Sequence, residues 1–187
     1  MSTAARRIPL DVAQHLVRGL IATLGPSCER IEVAGSVRRR SPDVGDLELV
    51  AIPKVSTRPG LDLFRAPEQY SPLDDALLAL HRQRRVVPHP ERPAAGERYR
   101  RLWLPDPGIQ LDLFLVLPPA EWGPIFTIRT GPAEYSRELV ARLWRYGLRC
   151  VDGQITRFGT GEVLPCREER DFFQRARLEW VAPEERR

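Results

Sequence analysis

The chain has 187 residues and a mass of 21.3 kDa, enough for one substantial domain or two small ones sharing a core, and too short for a repeat array or a large multidomain enzyme. Hydrophobic residues make up 42% of it and the mean hydropathy is −0.34, so an ordinary water-soluble core is expected and disorder is not. The formal net charge of +4 permits a polyanionic partner without requiring one.

No apolar run reaches the roughly 18 residues that a membrane span needs, and Met1–Pro9 reads as a polar arm rather than a signal peptide. A cytoplasmic protein with no membrane partner is expected, in a bacterium or a phage-infected host. Cys28, Cys150 and Cys166 match neither a zinc spacing nor a disulfide framework and read as reduced structural thiols. Lys54 is the only lysine among 29 basic residues. A GC-rich genome accounts for such a bias, although the planar fork of arginine also suits phosphate.

In chain order, Leu10 to Leu24 carries apolar residues at helical spacing and stops at Gly25-Pro26. A short strand is predicted at Arg30 to Ala34, a basic turn or helix at Gly35 to Arg40, and a strong strand from Asp46 to Ile52 closed by Pro53. Ser56 to Ser71 reads as an insertion loop before a helix from Pro72 to His81. Prolines 88, 90 and 93 argue against regular structure in the arginine-rich stretch that follows. Strands Arg98 to Leu104 and Ile109 to Val116 bracket a Pro-Asp-Pro-Gly turn and form a hairpin. After Leu117-Pro118-Pro119 the composition shifts. A helix from Ala133 to Tyr146 ends at Gly147, Asp152-Gly153 suits a type I′ hairpin turn, and a helix from Arg167 to Arg177 precedes the tail. The fold class expected is α+β, with a palm-like mixed sheet over residues 1–117 and a smaller α+β portion over 118–187.

Asp46 and Glu48 lie two apart on a strand and so project from one face, where two like charges repel and raise each other's pKa unless a cation lies between them. A lone pair of acids is more simply a solvated strand edge. Asp112, however, puts a third acid into the apolar run Gln110 to Val116, where it needs a partner or a ligand. Three acids on two strands favour oxygen coordination of Mg²⁺. Upstream, Gly35 and Ser36 offer backbone N–H groups and a hydroxyl, and Arg39 a charge, in a pattern that suits phosphate.

Gly35-Ser36-x-Arg38-Arg39, then Gly45-Asp46-x-Glu48, then Asp112 on a later strand resembles the pattern of polymerase-beta-type nucleotidyltransferases. Trp122-Gly123, Ile128-Arg129-Thr130-Gly131, the Asp152-Gly153 hairpin, Glu168-Glu169, Phe172-Phe173 and Pro183-x-x-Arg186 resemble the thumb of family X DNA polymerases. The resemblance implies a nucleotidyltransferase palm followed by a thumb, acting as a DNA-directed DNA polymerase of gap-filling or repair type. It implies that Asp46, Glu48 and Asp112 are catalytic and hold two Mg²⁺ ions, with Mn²⁺ an alternative. Gly35, Ser36, Arg39 and Gly45 would bind the triphosphate of a dNTP, and Trp122, Arg129, Thr130 and Gly131 its sugar and base. Arg137, Arg142 and Arg145 on the thumb helix would contact a DNA primer-template or gapped DNA, which a monomer would hold.

This chain departs from the family pattern in having Glu48 where many members have aspartate, Ile128-Arg129 in place of an aromatic pair, and Gln110 in place of an arginine. The resemblance also implies a cis Gly131–Pro132 bond, and the lack of a lyase module implies no deoxyribose-phosphate lyase activity. His15, His81 and His89 show no ligand spacing and read as surface residues. Trp103, Trp144 and Trp180 read as core or cover. The alternatives are a nucleotidyltransferase with a non-DNA acceptor, and a catalytically weak relative that only binds nucleic acid.

Overall fold

The computed structural model describes residues 7–58 and 68–187, so most of the polar arm and the middle of the insertion loop lie outside the described residues. The first part of the chain runs β1 (Ile8–Pro9), α1 (Leu10–Leu24), β2 (Cys28–Val33), α2 (Gly35–Arg38), β3 (Asp43–Val44), β4 (Asp46–Pro53), β5 (Ser56–Arg58), β6 (Glu68–Tyr70) and α3 (Pro72–Arg82). It continues through β7 (Val87–Pro88), β8 (Ala94–Ala95), β9 (Tyr99–Leu104) and β10 (Ile109–Leu115). The C-terminal part is α4 (Trp122–Thr130), α5 (Ala133–Trp144), β11 (Leu148–Val151), β12 (Gln154–Arg157), β13 (Val163–Leu164) and α6 (Glu169–Arg175).

The central sheet has the order β2-β4-β10-β9-β7, with β8 also on β9. Only β4 and β10 are parallel; β2 on β4 and β9 on β10 are antiparallel. Strand alternation sorts its residues onto two faces. Leu47, Leu49, Ala51, Leu111, Leu113 and Leu115 point to one side and join Ala13, Val17, Leu20 and Leu24 of α1 and Leu73, Leu77 and Leu80 of α3 in one core. On the other side, Val50, Phe114 and Val116 pack under Trp122 and Phe126 of α4. That face therefore changes along each strand from acids to apolar residues, and α4 covers only the apolar half.

Helix α4 has no counterpart among the predicted elements. It is buried nearly all round, at Trp122, Gly123, Pro124, Phe126, Thr127 and Thr130, so it shows no amphipathic stripe. Pro124 sits in its first turn, where the missing N–H costs no helix bond. Gly123 lies so close to the Cys166 and Glu168 carbonyls that a Cβ would reach within 2.5 Å of both oxygens.

The remaining helices and the two hairpins match expectation to within one or two residues. Asp152 and Gly153 have φ of 50° and 76°, the left-handed pair that a type I′ turn requires. Among the described residues the cis bonds are Asp106–Pro107 and Pro118–Pro119, and Gly131–Pro132 is trans, contrary to expectation. Gly131 (φ −72°, ψ 159°) and Pro132 (φ −57°, ψ 156°) form an extended pair whose Pro132 carbonyl accepts the first α5 bond from Ser136 N–H at 2.9 Å.

A second core gathers Leu139, Leu143, Leu148, Ile155, Cys166, Phe172 and Phe173. Its connection to the central sheet is ionic as well as apolar. Arg38 donates two bonds of 2.7 Å to Glu169 and one of 2.6 Å to Thr130 Oγ1, and its guanidinium lies 3.9 Å over the Phe126 ring. Arg186, wholly buried at its side chain, donates to the same carboxylate at 2.8 Å, and Trp180 Nε1 at 3.3 Å. Burial alone would raise the Glu169 pKa, but the hydrogen bonds and charges of Arg38 and Arg186 prevail and hold it at about 2. A second link runs from Arg30 to Glu168 at 2.6 and 3.1 Å, with the Arg30 guanidinium 4.1 Å over Trp122.

Removing the Glu169 carboxylate would leave two guanidinium groups facing each other out of water. Glu169→Ala should lower the unfolding free energy by about 3–5 kcal/mol in urea titrations. A loss below about 1 kcal/mol would show that the Arg38–Glu169–Arg186 cluster does not hold the two cores together.

Candidate active site

The parallel register pairs Gln110 with Asp46 and Asp112 with Glu48, so the three predicted carboxylates lie on adjacent strands and one face. Asp112 is 5% exposed and tightly held. Tyr99 Oη donates to its Oδ1 at 2.7 Å, Arg101 Nε to the same oxygen at 3.1 Å, and Gln110 Nε2 to Oδ2 at 2.9 Å. Gln110 is thus a hydrogen-bond partner of Asp112, while Arg101, directly across from it on β9, supplies the charge. The Tyr99 hydroxyl is pushed up to about 12 by burial and by its bond to Asp112, which keeps it a donor.

Among the described residues, Asp46 and Glu48 have no such hydrogen-bond partners. Burial, then Asp46 and Asp112, push the Glu48 carboxyl up to about 8 against the opposing pull of Arg39 and Arg129. Asp46 is raised by burial and by Asp112. The three groups feel one another through a poorly solvated face. Their oxygens do not converge: among the described residues no three histidine, cysteine, aspartate or glutamate side chains form a cluster able to hold a metal ion. Glu48 leans over Gly35, and Asp112 is bound to its own donors. Bare like charges separate where they can, and such a face becomes a metal site only when a cation draws its oxygens together.

Gly35 makes the approach of Glu48 possible. Its φ is +57°, and a Cβ there would overlap the Glu48 carboxylate, so glycine is required on both counts. Ser36 Oγ is buried and has no hydrogen-bond partner among the described residues. Ser36, Arg39, Gly45, Asp46, Arg92 and Gln110 are among the residues lining a cleft of about 650 Å³. An orphaned hydroxyl, a residue with no room for a side chain and an arginine beside two acids are what a bound metal–phosphate group would complete.

Arg39 separates this cleft from a larger one of about 870 Å³ that runs along α5. Its guanidinium donates to the Thr130 carbonyl at 2.7 Å, and burial lowers its pKa although Glu48 and Asp46 pull it up. Glu48 and Arg129 line the larger cleft near Gly131, and Ser136, Arg137, Val140 and Trp144 continue it along one face of α5.

Several predicted site residues lie elsewhere. Thr130 is fully buried, its hydroxyl donating to the Phe126 carbonyl at 2.7 Å and accepting from Arg38, so it joins α4 to α2 and does not face the cleft. Trp122, 4% exposed, packs in the core between Arg30 and Phe126, because β-strand alternation leaves an apolar surface there to be covered. Of the three thumb-helix arginines only Arg137 lines the larger cleft. Arg142 donates to the Ala176 carbonyl at 2.9 Å, and Arg142 and Arg145 border a different cavity with Tyr135 and Leu178. His89, expected on the surface, is 7% exposed; its Nδ1 accepts from the Glu91 and Arg92 N–H groups, and its ring meets Trp103 edge-on. The three cysteines are free, and burial raises each thiol. No helix among the described residues is long and apolar enough to cross a membrane.

Tyr99 and Arg101 were not predicted as partners of Asp112. The signal was present in the tight Pro-Asp-Pro-Gly turn, which fixes the hairpin register and sets residue 101 opposite residue 112.

Residues 126–187 match the family model of the DNA polymerase beta thumb. The C-terminal third of the chain, from the second half of α4 onward, is thus similar to a thumb of that type, which suggests a relation to DNA polymerases; the sheet that carries the acids precedes the match. No curated protein matches the chain.

The raised Glu48 pKa has a definite sign in stability. Over the interval from about 4.5 to about 8 the folded chain retains a proton that the unfolded chain has lost, so this contribution is full below pH 4.5 and disappears as pH rises through 8. In metal-free buffer the melting temperature of the wild type should fall from pH 5 to pH 8 more steeply than that of Glu48→Gln. Parallel curves would show that Glu48 is already ionised in the fold.

Proposed function

We propose that the chain is a nucleotidyltransferase that adds a deoxynucleotide from a dNTP to the 3′-hydroxyl of a primer, on gapped or primer-template DNA. Residues 1–117 would act as its palm and 118–187 as its thumb. The observation that carries this reading is the placement of Asp46, Glu48 and Asp112 on one sheet face, where Glu48 lines a cleft walled by α5 of the segment that matches a polymerase thumb and Asp46 lines the neighbouring cleft across Arg39.

Asp46, Glu48 and Asp112 would hold two Mg²⁺ ions, or Mn²⁺ in their place, as hard oxygen donors. Once bound, such ions supply acidity to the primer hydroxyl and neutralise charge on the leaving pyrophosphate. The chain does the rest by positioning. Tyr99, Arg101 and Gln110 hold Asp112 in one orientation. Gly35 leaves backbone N–H groups open to the triphosphate, the Ser36 hydroxyl donates to a phosphate oxygen, and Arg39 balances charge between acids and phosphates. Arg129 and Gly131, on the cleft wall, flank the sugar and base.

One observation favours a second reading, a nucleic-acid-binding relative with weak catalysis: both Asp112 oxygens already accept hydrogen bonds from the chain. It predicts DNA binding without incorporation.

Primer extension on gapped and recessed DNA, with Mg²⁺ or Mn²⁺ and each dNTP or NTP, separates these. Incorporation is expected, with Asp112→Ala at least about a hundredfold slower, the scale of a lost transition-state stabiliser. Binding without extension would select the second reading, and equal rates for wild type and variant would exclude the first.

A further inference from the structure

Trp144 was expected as core or cover, yet it is the most exposed aromatic side chain of the C-terminal part, at 62%. It ends the row Ala133, Ser136, Arg137, Val140, Ala141 that α5 turns toward the larger cleft. Phe158, from the turn after β12, meets it edge-to-face, with centroids 5.2 Å apart and planes at 74°. That contact touches the indole on one side, and most of the side chain remains exposed. The Arg149 guanidinium lies 5.8 Å from the Phe158 ring and is itself tethered to Thr156 Oγ1 at 3.2 Å. The charged side chains of the cleft are Arg39, Arg129 and Arg137 against Glu48 alone. Glu162, on the loop after Phe158, is paired with Arg157 at 2.8 Å.

We propose that the Trp144–Phe158 pair is a stacking platform for an unpaired nucleobase of a single-stranded DNA segment that runs along α5. An exposed indole among arginines fits an anionic chain that also offers flat apolar rings, and single-stranded nucleic acid has both. A duplex buries its base faces and could stack here only by its end. An acidic peptide would satisfy the arginines without using the ring face. The row from Ala133 to Trp144 spans about 16 Å at the helical rise, the length of several nucleotides. The stacked base would lie at the Trp144 end of that row, on the unpaired strand beside a gap. This inference rests on the proposed function in its choice of DNA.

The test measures binding of the full chain to fluorescent oligo(dT) and to a blunt duplex of equal length, without metal or dNTP, for wild type, Trp144→Ala, Trp144→Phe and Phe158→Ala. Melting temperatures are taken alongside. Trp144→Ala is expected to weaken oligo(dT) binding about tenfold, within the range of one lost base–aromatic stack, with little change for the duplex. Its salt slope should match that of the wild type because no charge is removed. Trp144→Phe should recover most of the loss, and oligo(dT) should quench wild-type tryptophan emission more than that of Trp144→Phe. Unchanged oligo(dT) affinity in Trp144→Ala would overturn the proposal. So would an equal loss for the duplex, or a changed sedimentation coefficient with unchanged DNA binding, which would assign the patch to contact with a second copy. Extension activity with a neutral Trp144→Ala sinks this inference alone, whereas Trp144-dependent binding without extension sinks only the polymerase reading.

Discussion

Everything at the candidate site depends on the parallel pairing of β4 with β10 in one register. That register sets Asp112 beside Glu48 and Gln110 beside Asp46, and it simultaneously places Leu47, Leu49, Leu111 and Leu113 in the core beneath them. A slip of one residue would turn the acids into the core and the leucines into the cleft. The apolar face holds the polar face in place, because burying leucines is favourable and burying three unpaired carboxylates is not. Burial first, and then the neighbouring acids, raise the pKa of both Asp46 and Glu48.

Two adjacent arginines then divide the work of joining this sheet to the thumb. Arg38 turns to Glu169 and Thr130, in a cluster closed by the buried Arg186. Arg39, one residue on, donates to the Thr130 carbonyl while facing Asp46 and Glu48. The short helix α2, which ends at Arg38 with Arg39 as its C-cap, begins at Gly35, where Glu48 approaches, and so couples the position of the C-terminal part to the geometry of the acids. Replacing either arginine by lysine would lose the fork that makes two such contacts at once.

Much of this could be read from the sequence because it follows from local rules. Strand alternation showed that Asp46 and Glu48 share a face, and Gly25-Pro26, Gly147 and Asp152-Gly153 marked helix ends and a hairpin. Helix α4 could not be read, since a helix buried on all sides has no periodic stripe and Gly123-Pro124 suggests a turn. Nor could the positions of Thr130, Trp122 and Trp144, because whether a side chain faces a cleft or a neighbouring helix is decided by long-range packing. The partners of Asp112 fall between the two cases: the hairpin turn implied Arg101, while Tyr99 reaches Asp112 only through the length of its ring.

The central claim is that Asp46, Glu48 and Asp112 act as one divalent-cation site. Calorimetric titration of Mn²⁺ into the chain, with and without a non-hydrolysable dNTP analogue, tests it most directly. Binding that tightens when the analogue is present and vanishes in Asp46→Asn and Asp112→Asn is the result expected. Absence of Mn²⁺ binding to the wild type, or binding equally strong in both variants, would contradict it.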